Sequence, residues 1–306
     1  MTVAWTFIGF GEAGRAFARN GARAYDRKTA TPETRPGKLA DYDSAGVEGC
    51  ETAREALAGA GAVLSLVTAD QALAAACDGA PLLGTDALWI DMNSVAPGTK
   101  RAAAKAVEAA GGRYVDVAVM APVDPAKLDV PLLVAGPHAR DAAAALREYG
   151  FGRVAIAGPT VGDASAIKMI RSVMVKGIEA LTAECVLAAE RAGVREAVLG
   201  SLDASWKQQG WGERADYNLD RMLAHGMRRA AEMEEVARTL EELGVEPVMS
   251  RGTMARQQEL GALGMAPPEG LAAKLAAIRE RAPGTRPDSS PSPEGEGPMK
   301  RKEEAA

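Results

Sequence analysis

Ile8-Gly9-Phe10-Gly11-Glu12-Ala13-Gly14 is the stretch that decides the fold. The run Thr2 to Ile8 ahead of it favours β-structure, and Arg15 to Arg19 behind it carries a helical pattern. The glycines therefore sit where a strand turns into a helix, the setting of a dinucleotide-binding turn. Each position needs glycine for its own reason. Gly9 makes the tight turn, Gly11 lets backbone N–H groups approach a pyrophosphate, and Gly14 allows close helix–strand packing. With Phe10, Glu12 and Ala13 between them, they place the positive end of a helix against an anion.

Asn20-Gly21 is a helix stop, and Ala22 to Tyr25 reads as a second strand ending in Asp26-Arg27-Lys28. Asp26 would accept hydrogen bonds from ribose hydroxyls and favour NAD, whereas Arg27 and Lys28 could pair with a 2′-phosphate and favour NADP. Both cofactors stay open. Asp26 follows Gly9 more closely than the usual spacing of roughly 20 residues, so either the first helix is clipped or the acid is misplaced.

Strands are expected at Ala62 to Val67, Ala87 to Met92 and Tyr114 to Val119, alternating with helical stretches such as Gln71 to Cys77 and Lys100 to Ala110. This alternation implies crossover connections and a parallel, doubly wound sheet, an α/β Rossmann domain. Ligand groups then belong on loops leaving the C-terminal strand ends. Thr68-Ala69-Asp70, Asn93-Ser94-Val95-Ala96-Pro97 and Met120-Ala121-Pro122 are those loops, with Val67 at its strand end, Thr68 and Asn93 placed to border a nicotinamide. Pro131 to Gly136 and Arg153 to Ala157 read as the last strands, and Gly158-Pro159 closes a domain of residues 1–161.

From Gly162 to Ala192 one long helix is expected, with an apolar stripe of Ile167, Ile170, Met174, Ile178, Leu181 and Cys185 at steps of three and four. Lys168, Ser172, Lys176 and Glu179 fall on roughly the opposite side, with Arg171 at one flank. Further helices follow at Arg195 to Ser205, Asn218 to Ala224, Arg229 to Leu243, Thr253 to Leu260 and Leu271 to Arg281. Residues 162–282 thus form an all-helical second domain, with Met233, Val236, Leu240 and Leu243 as bundle core. Residues 283–306, rich in Pro, Ser, Gly and charge, read as a disordered tail.

At 306 residues and 47% hydrophobic, the chain can bury two cores. A net charge of −5, with no basic cluster beyond Lys300-Arg301-Lys302, argues against nucleic acid and for small-molecule chemistry. Its three cysteines, Cys50, Cys77 and Cys185, are widely spaced in apolar surroundings and read as small buried hydrophobes, not as disulfides or metal ligands. No signal-peptide pattern and no apolar run of membrane-spanning length is present, so a cytoplasmic protein without membrane partners is expected.

The order of motifs resembles the β-hydroxyacid dehydrogenase family: the glycine turn, Asp-x-x-Ser-x-x-Pro at Asp91 to Pro97, Asp-x-x-Val at Asp116 to Val119, and Lys168 six residues after Gly162. The resemblance, over most of Val3 to Gln258, extends to the 3-hydroxyisobutyrate and 6-phosphogluconate dehydrogenases and looks closest to a phosphogluconate-dehydrogenase-like branch. It implies a Rossmann domain followed by a helical domain, NAD(P)-dependent oxidation of a CH–OH group near a carboxylate, and a homodimer or homotetramer built through the helical domain. Lys168 matches the family's catalytic lysine, the general acid/base. A lysine near a helix N-terminus, partly desolvated, is expected to have a lowered pKa, which suits that role.

Several positions depart from the family pattern. Where the family has a Ser-Gly-Gly cradle for the substrate carboxylate, this chain has Met120-Ala121-Pro122, and Pro122 has no N–H to donate. Arg171-Ser172 stands where a pair of asparagines commonly follows the lysine. Two readings of Arg171 stay open: a bidentate clamp on a carboxylate or phosphate, and a surface ion pair. A later helical-domain lysine of the family has no clear match in His225-Gly226-Met227-Arg228-Arg229, where His225 is either its substitute or a structural histidine. The expected substrate site is therefore Ser94, Met120, Ala121, Arg171 and Ser172, with Ser94 and Asn93 positioning the substrate. The alternatives are an imine reductase on the same scaffold and a non-catalytic NAD(P)-binding protein.

Overall fold

A computed structural model describes residues 3–205 and 210–281. The expected tail, residues 283–306, lies outside the described residues, as do the side chains of Lys176, Glu179 and Val236. The chain divides into two compact units, Met1–Gly177 and Ile178–Ala306.

The first unit is built on β1 (Trp5–Ile8), β2 (Arg23–Tyr25), β3 (Glu48–Gly49), β4 (Ala62–Ser65), β5 (Leu88–Asp91), β6 (Arg113–Val119), β7 (Leu132–Ala135) and β8 (Val154–Gly158). They form one sheet in the order β3-β2-β1-β4-β5-β6-β7-β8. The order reverses direction between β1 and β4, which makes that point the crevice where a doubly wound sheet binds its ligand.

All pairs from β3 to β6 are parallel, as the alternation of strands and helices requires. The β6–β7 pair is antiparallel, a departure from the all-parallel expectation. Its reason is local: only a loop with a short 3₁₀ turn at Lys127–Asp129 joins these strands, so no crossover helix turns the chain round. The helix Ala139–Tyr149 then does so, and β8 pairs parallel with β7.

Successive residues enter opposite faces of the sheet. Phe7, Leu64, Ile90 and Val115 join one buried cluster, and their neighbours Ile8, Val63, Trp89 and Tyr114 join the other. Both faces are therefore covered, as a doubly wound sheet demands. The covering helices are α1 (Glu12–Phe17), α2 (Arg35–Ala45), α3 (Ala53–Leu57), α4 (Ala72–Gly79), α5 (Pro97–Ala109) and α6 (Ala139–Tyr149).

Three helices escape the periodicity reading. In α2 the positions buried one turn apart are Lys38 and Tyr42, so a lysine stands where an apolar residue is looked for. Helix α3 spans only Ala53–Leu57, about one turn and too short to show a period. Helix α6 buries mostly alanines (Ala139, Ala142, Ala143), which carry little hydrophobic signal.

Helix α7 (Asp163–Arg191) begins where expected, after Gly162 at φ 112°, and runs from the first unit into the second. Within the second unit follow α8 (Arg195–Ser205), α9 (Trp211–Glu242), α10 (Val248–Gly261) and α11 (Leu271–Arg281). Helix α9 is continuous through Gly226, where the sequence reading divides it. Gly226 is there for packing. A Cβ on it would sit 2.8 Å from Gly261 Cα, so the two glycines let α9 and α10 touch backbone to backbone. Ala188, Leu240 and Val245 form a small core with Leu243 beside it, and Met233 is half-buried.

Glu184 reaches from α7 to the start of α10, accepting from the Met249 N–H at 2.7 Å, the Ser250 N–H at 2.9 Å and the Ser250 hydroxyl at 2.6 Å. It acts as a cap supplied by another helix.

One sequence expectation, that all three cysteines are buried, is corrected. Only Cys50 is buried. Cys77 lies beside, not on, the buried face of α4 formed by Ala72, Ala76 and Gly79, and Cys185 lies on an exposed part of α7. Among the described residues the apolar stripe of α7 is left exposed, with Ile170 at 71% and Met174 at 47%. Among the described residues, no helix is long and apolar enough to cross a membrane.

Candidate active site

At the switch point, the glycine turn forms the floor of a cleft of about 480 Å³. Gly9, Gly11, Glu12 and Ala13 line it on one side, Asp26, Arg27 and Lys28 at one end, and Val67, Thr68 and Trp89 opposite. The three glycines have distinct geometries. Gly9 stands at φ 86°, and a Cβ there would come 2.5 Å from Leu66 O. At Gly14 a Cβ would press Phe10 Cδ2 at 3.0 Å and Gly9 O at 3.2 Å. At Gly11 a Cβ would meet nothing within 4 Å: it would occupy open space in the cleft wall. Two glycines thus serve the fold, and the third keeps space for a ligand.

Gly11 is also the N-cap of α1, whose first N–H groups have no partner inside the helix. A diphosphate fits this arrangement, so the residues present suit a dinucleotide.

Helix α1 has six residues, so the close spacing of Asp26 and Gly9 reflects a clipped helix. Asp26 reaches the turn directly: Oδ2 accepts the Phe10 N–H at 2.8 Å and Oδ1 accepts the Lys28 N–H at 2.9 Å. Each carboxylate oxygen keeps a further lone pair for a sugar hydroxyl. Arg27 donates to Gln71 Oε1 at 2.7 Å across the cleft end. Phe10 contributes only backbone, since its ring lies in the core against Phe7 and Tyr42. Lys38, almost fully buried, donates to Phe10 O at 2.7 Å and pairs with Asp41 Oδ2 at 2.7 Å, bracing the turn from behind.

Past the cleft, the ends of β5 and β6 carry a buried ionic network. Asp91 and Asp116 are register partners across the two parallel strands and are at most 1% exposed. The Lys100 ammonium, from α5, bonds Asp91 O at 2.6 Å and Asp91 Oδ1 at 2.9 Å and lies 3.5 Å from Asp116 Oδ1. Asp91 also accepts from Asn93 N (2.9 Å), Asn93 Nδ2 (2.8 Å) and the Tyr114 hydroxyl (2.7 Å). Burial first, and then the Asp91 charge, push the Tyr114 hydroxyl far above its usual range, which keeps it a donor. Asn93 Nδ2 further bonds Ser65 Oγ at 3.0 Å, tying the end of β4 to that of β5. The buried Asn93 Oδ1 has no hydrogen-bond partner among the described residues, an acceptor available to a ligand.

Asp116 Oδ2 accepts the Gly162 N–H at 3.1 Å and the Ser165 N–H at 3.0 Å, so it caps α7. One turn later Lys168 Nζ donates to Ser94 Oγ at 2.6 Å. Residues far apart in sequence, the expected acid/base and the expected positioning serine, are in direct contact.

The other expected substrate residues are less concentrated. Ser172 donates its hydroxyl to Lys168 O at 2.9 Å within α7, and Arg171 is exposed on that helix. The Met120 N–H is spent on Pro131 O at 2.9 Å, and Ala121 is exposed. With Pro122 lacking an N–H, this loop offers no full backbone cradle. His225 is exposed on α9 in the second unit.

Sequence reasoning missed Lys38, Ser65, Lys100 and Tyr114. Lys100 had one available signal, since two aspartates at equivalent ends of neighbouring strands require a cation between them.

Known proteins match this picture. Residues 4–146 match the family described as the NAD binding domain of 6-phosphogluconate dehydrogenase, and residues 189–260 match a domain of unknown function. A conserved hypothetical protein from Sinorhizobium meliloti is 39% identical over 92% of this chain and 97% of its own, with a TM-score of 0.58. A conserved protein of unknown function, described as structurally similar to 3-hydroxyacid dehydrogenases, is 29% identical over 90% and 99%, with a TM-score of 0.54. The Streptomyces aurantiacus imine reductase shares the fold at 21% identity over 90% and 99%, with a TM-score of 0.66. No protein with a curated description matches the chain.

Proposed function

The chain belongs to the β-hydroxyacid dehydrogenase-like family of NAD(P)-binding dehydrogenases and reductases, and we propose that it acts on the CH–OH group of a small hydroxy-acid-like substrate with Lys168 as general acid/base. The observation that carries this reading is the 2.6 Å contact between Lys168 and Ser94 at the end of β5, one strand over from the cleft-lining Val67 and Thr68.

NAD or NADP, when bound, supplies the hydride acceptor or donor. The protein does the rest. Gly9 to Gly14 and the start of α1 hold the diphosphate, while Asp26 or Arg27 meets the adenosine ribose or its phosphate. Val67, Thr68 and Asn93 border the nicotinamide. Ser94 holds the Lys168 amine at the reacting oxygen, where Lys168 takes the hydroxyl proton in oxidation and returns it in reduction. Arg171 or Ser172 secures the substrate's polar end.

The test begins with fluorescence titration of NADH and NADPH, then turnover of Lys168→Ala on a panel of hydroxy acids. Loss of a general acid/base lowers the rate about 10²- to 10⁴-fold and leaves cofactor binding intact. A variant that keeps most of its rate sinks the assignment. A protein that binds cofactor but turns over nothing is the non-catalytic alternative.

One observation favours a second reading. The Met120-Ala121-Pro122 loop, with Met120 N–H engaged and Pro122 without one, is poorly made for a substrate carboxylate. A cyclic imine needs no such cradle, and rates on imines against hydroxy acids separate an imine reductase from a dehydrogenase.

The assembly belongs to the same proposal. The exposed stripe Ile167, Ile170, Met174, Ile178 and Leu181 is the face through which a second copy packs, giving a homodimer or homotetramer.

A further inference from the structure

Lys100 has no place in the proton chemistry, yet it is a fully buried ammonium, hydrogen-bonded to Asp91 and ion-paired at 3.5 Å with Asp116 Oδ1, a buried oxygen that accepts no hydrogen bond. Each carboxylate has a separate task. Asp91 holds Asn93 by its backbone N–H and its side-chain amide, and Asn93 immediately precedes Ser94. Asp116 holds Gly162 and Ser165, and so the start of the helix that carries Lys168. Ser94 and Lys168 thus hang on two different strand ends. Among the described residues the strand register, the Tyr114–Asp91 hydrogen bond and the Lys100 bridge connect those ends, and of these the Lys100 bridge alone reaches Asp116 itself.

Register partners on adjacent parallel strands bring the two acidic side chains to the same face and height. Like charges so placed, out of water, repel unless a cation sits between them. With the ammonium in place, both are drawn to one centre, and the Ser94 loop and α7 are drawn with them.

We propose that Lys100 is a positioning residue of the Lys168 site: by bridging Asp91 and Asp116 it locks the Ser94 loop to the start of α7 and so sets the Lys168–Ser94 contact. The proposal rests on the reading of Lys168 as acid/base for its meaning in turnover, but its geometry is independent of that reading.

The experiment is a double-mutant cycle read on Lys168 itself. Lys168 is acetylated by limiting acetic anhydride at fixed pH, and the extent at that residue is measured by peptide mass spectrometry in the full-length protein. This needs no substrate. In the otherwise native chain, Ser94→Ala removes this one hydrogen bond from the amine and raises its labelling about fivefold, the factor of a hydrogen bond of ordinary net strength.

Lys100→Met leaves two buried carboxylates facing each other and destabilises the first unit; the working background is therefore Lys100→Met/Asp116→Asn, which removes the bridge in a charge-balanced pair. An asparagine oxygen still caps Gly162 and Ser165, and Asp91 keeps its donors from Asn93 and Tyr114. In that background Lys168 is expected to label at the released rate already, with Ser94→Ala adding nothing. Lys274→Met, which removes another buried lysine paired with Asp216 in the second unit, serves as the control for a buried-lysine deletion and leaves the Ser94 effect intact.

A full fivefold Ser94 effect in the Lys100→Met/Asp116→Asn background overturns the proposal, because the contact would then survive without the bridge. Loss of the Ser94 effect in the Lys274→Met control overturns it too. If Lys168→Ala retains turnover while the labelling cycle behaves as expected, the acid/base reading fails and the positioning role stands. Where turnover is found, the bridge-cut variant lowers kcat at nearly constant cofactor affinity.

Discussion

Gly9 and Gly11 stand two residues apart in the same turn, and the structure assigns them opposite sensitivities. An alanine at Gly9 would have to hold φ near 86°, and its Cβ would lie 2.5 Å from Leu66 O and 2.7 Å from Leu66 C, both backbone atoms of the adjoining β4 segment. The left-handed conformation costs an L-residue about 1–2 kcal/mol, and relieving such an overlap costs about 1–3 kcal/mol more. Gly9→Ala therefore loses about 2–5 kcal/mol, a large share of the roughly 5–15 kcal/mol that holds a domain folded.

Gly11 has φ −91°, open to any residue, and its Cβ would meet no atom within 4 Å. Gly11→Ala should unfold within about 0.5 kcal/mol of the native protein. Its methyl group, however, occupies the space a diphosphate needs. One lost charge-assisted hydrogen bond, worth about 1.5–3 kcal/mol, weakens NADH or NADPH binding roughly 10- to 100-fold. Urea unfolding gives the first quantity and nucleotide fluorescence the second. A Gly11→Ala protein that binds as tightly as the native one would refute the placement of the diphosphate, and an unchanged urea midpoint for Gly9→Ala would refute the packing argument.

Two further outcomes concern the helical unit. Burial lifts the Glu184 carboxyl, but the Ser250 hydroxyl and the Met249 and Ser250 N–H groups outweigh it and hold the group below its usual range. A lowered folded value means stability that is present above the ordinary carboxylate range near pH 4.5 and lost as the pH falls through the folded value. Glu184→Gln should lower Tm at pH 7, by about 1–2 kcal/mol in stability, and narrow the gap to the native protein at acid pH; parallel melts at both pH values check it. For the assembly, Ile170→Glu places a charge on the exposed α7 stripe. Light scattering should then report a monomer with unchanged helical content, and a native-sized oligomer would remove α7 from the interface.

The parts of this architecture that were legible in the sequence are those whose signal is local. A glycine turn between strand and helix, strands at the C-terminal ends of which small polar loops appear, and a long helix announced by Gly162 all depend on neighbours within a few residues. The antiparallel turn into β7 was not legible, because it depends on the absence of a helix between Val119 and Leu132 and not on any positive pattern. Helix α2 hid because the residue it buries one turn before Tyr42 is Lys38, whose partners Phe10 O and Asp41 appear only when the fold brings them in. The break expected near Gly226 was a misreading of a glycine that serves packing against Gly261. In the site, Lys168 and Ser94 were each readable from motif context, but their contact spans 74 positions and is a property of the sheet order.

The same reasoning explains why the site tolerates an ionic cluster in a place where apolar residues would fold more cheaply. A buried ion pair rarely stabilises a protein beyond a well-packed hydrophobic replacement, while removing one partner costs about 3–5 kcal/mol. Hydrophobic contacts are non-directional and would let the β5 loop and the head of α7 settle at a range of separations. Asp91 holds Asn93 on one side and Asp116 holds Gly162 and Ser165 on the other through named donors and acceptors, with the Lys100 ammonium hydrogen-bonded to Asp91 and ion-paired with Asp116 between them. For the proposed positioning role such a constraint matters, since a displacement of about 1 Å in a catalytic group is enough to lower a rate by two orders of magnitude. The cluster therefore trades stability for position, and its location at the ends of β5 and β6 is where position matters most.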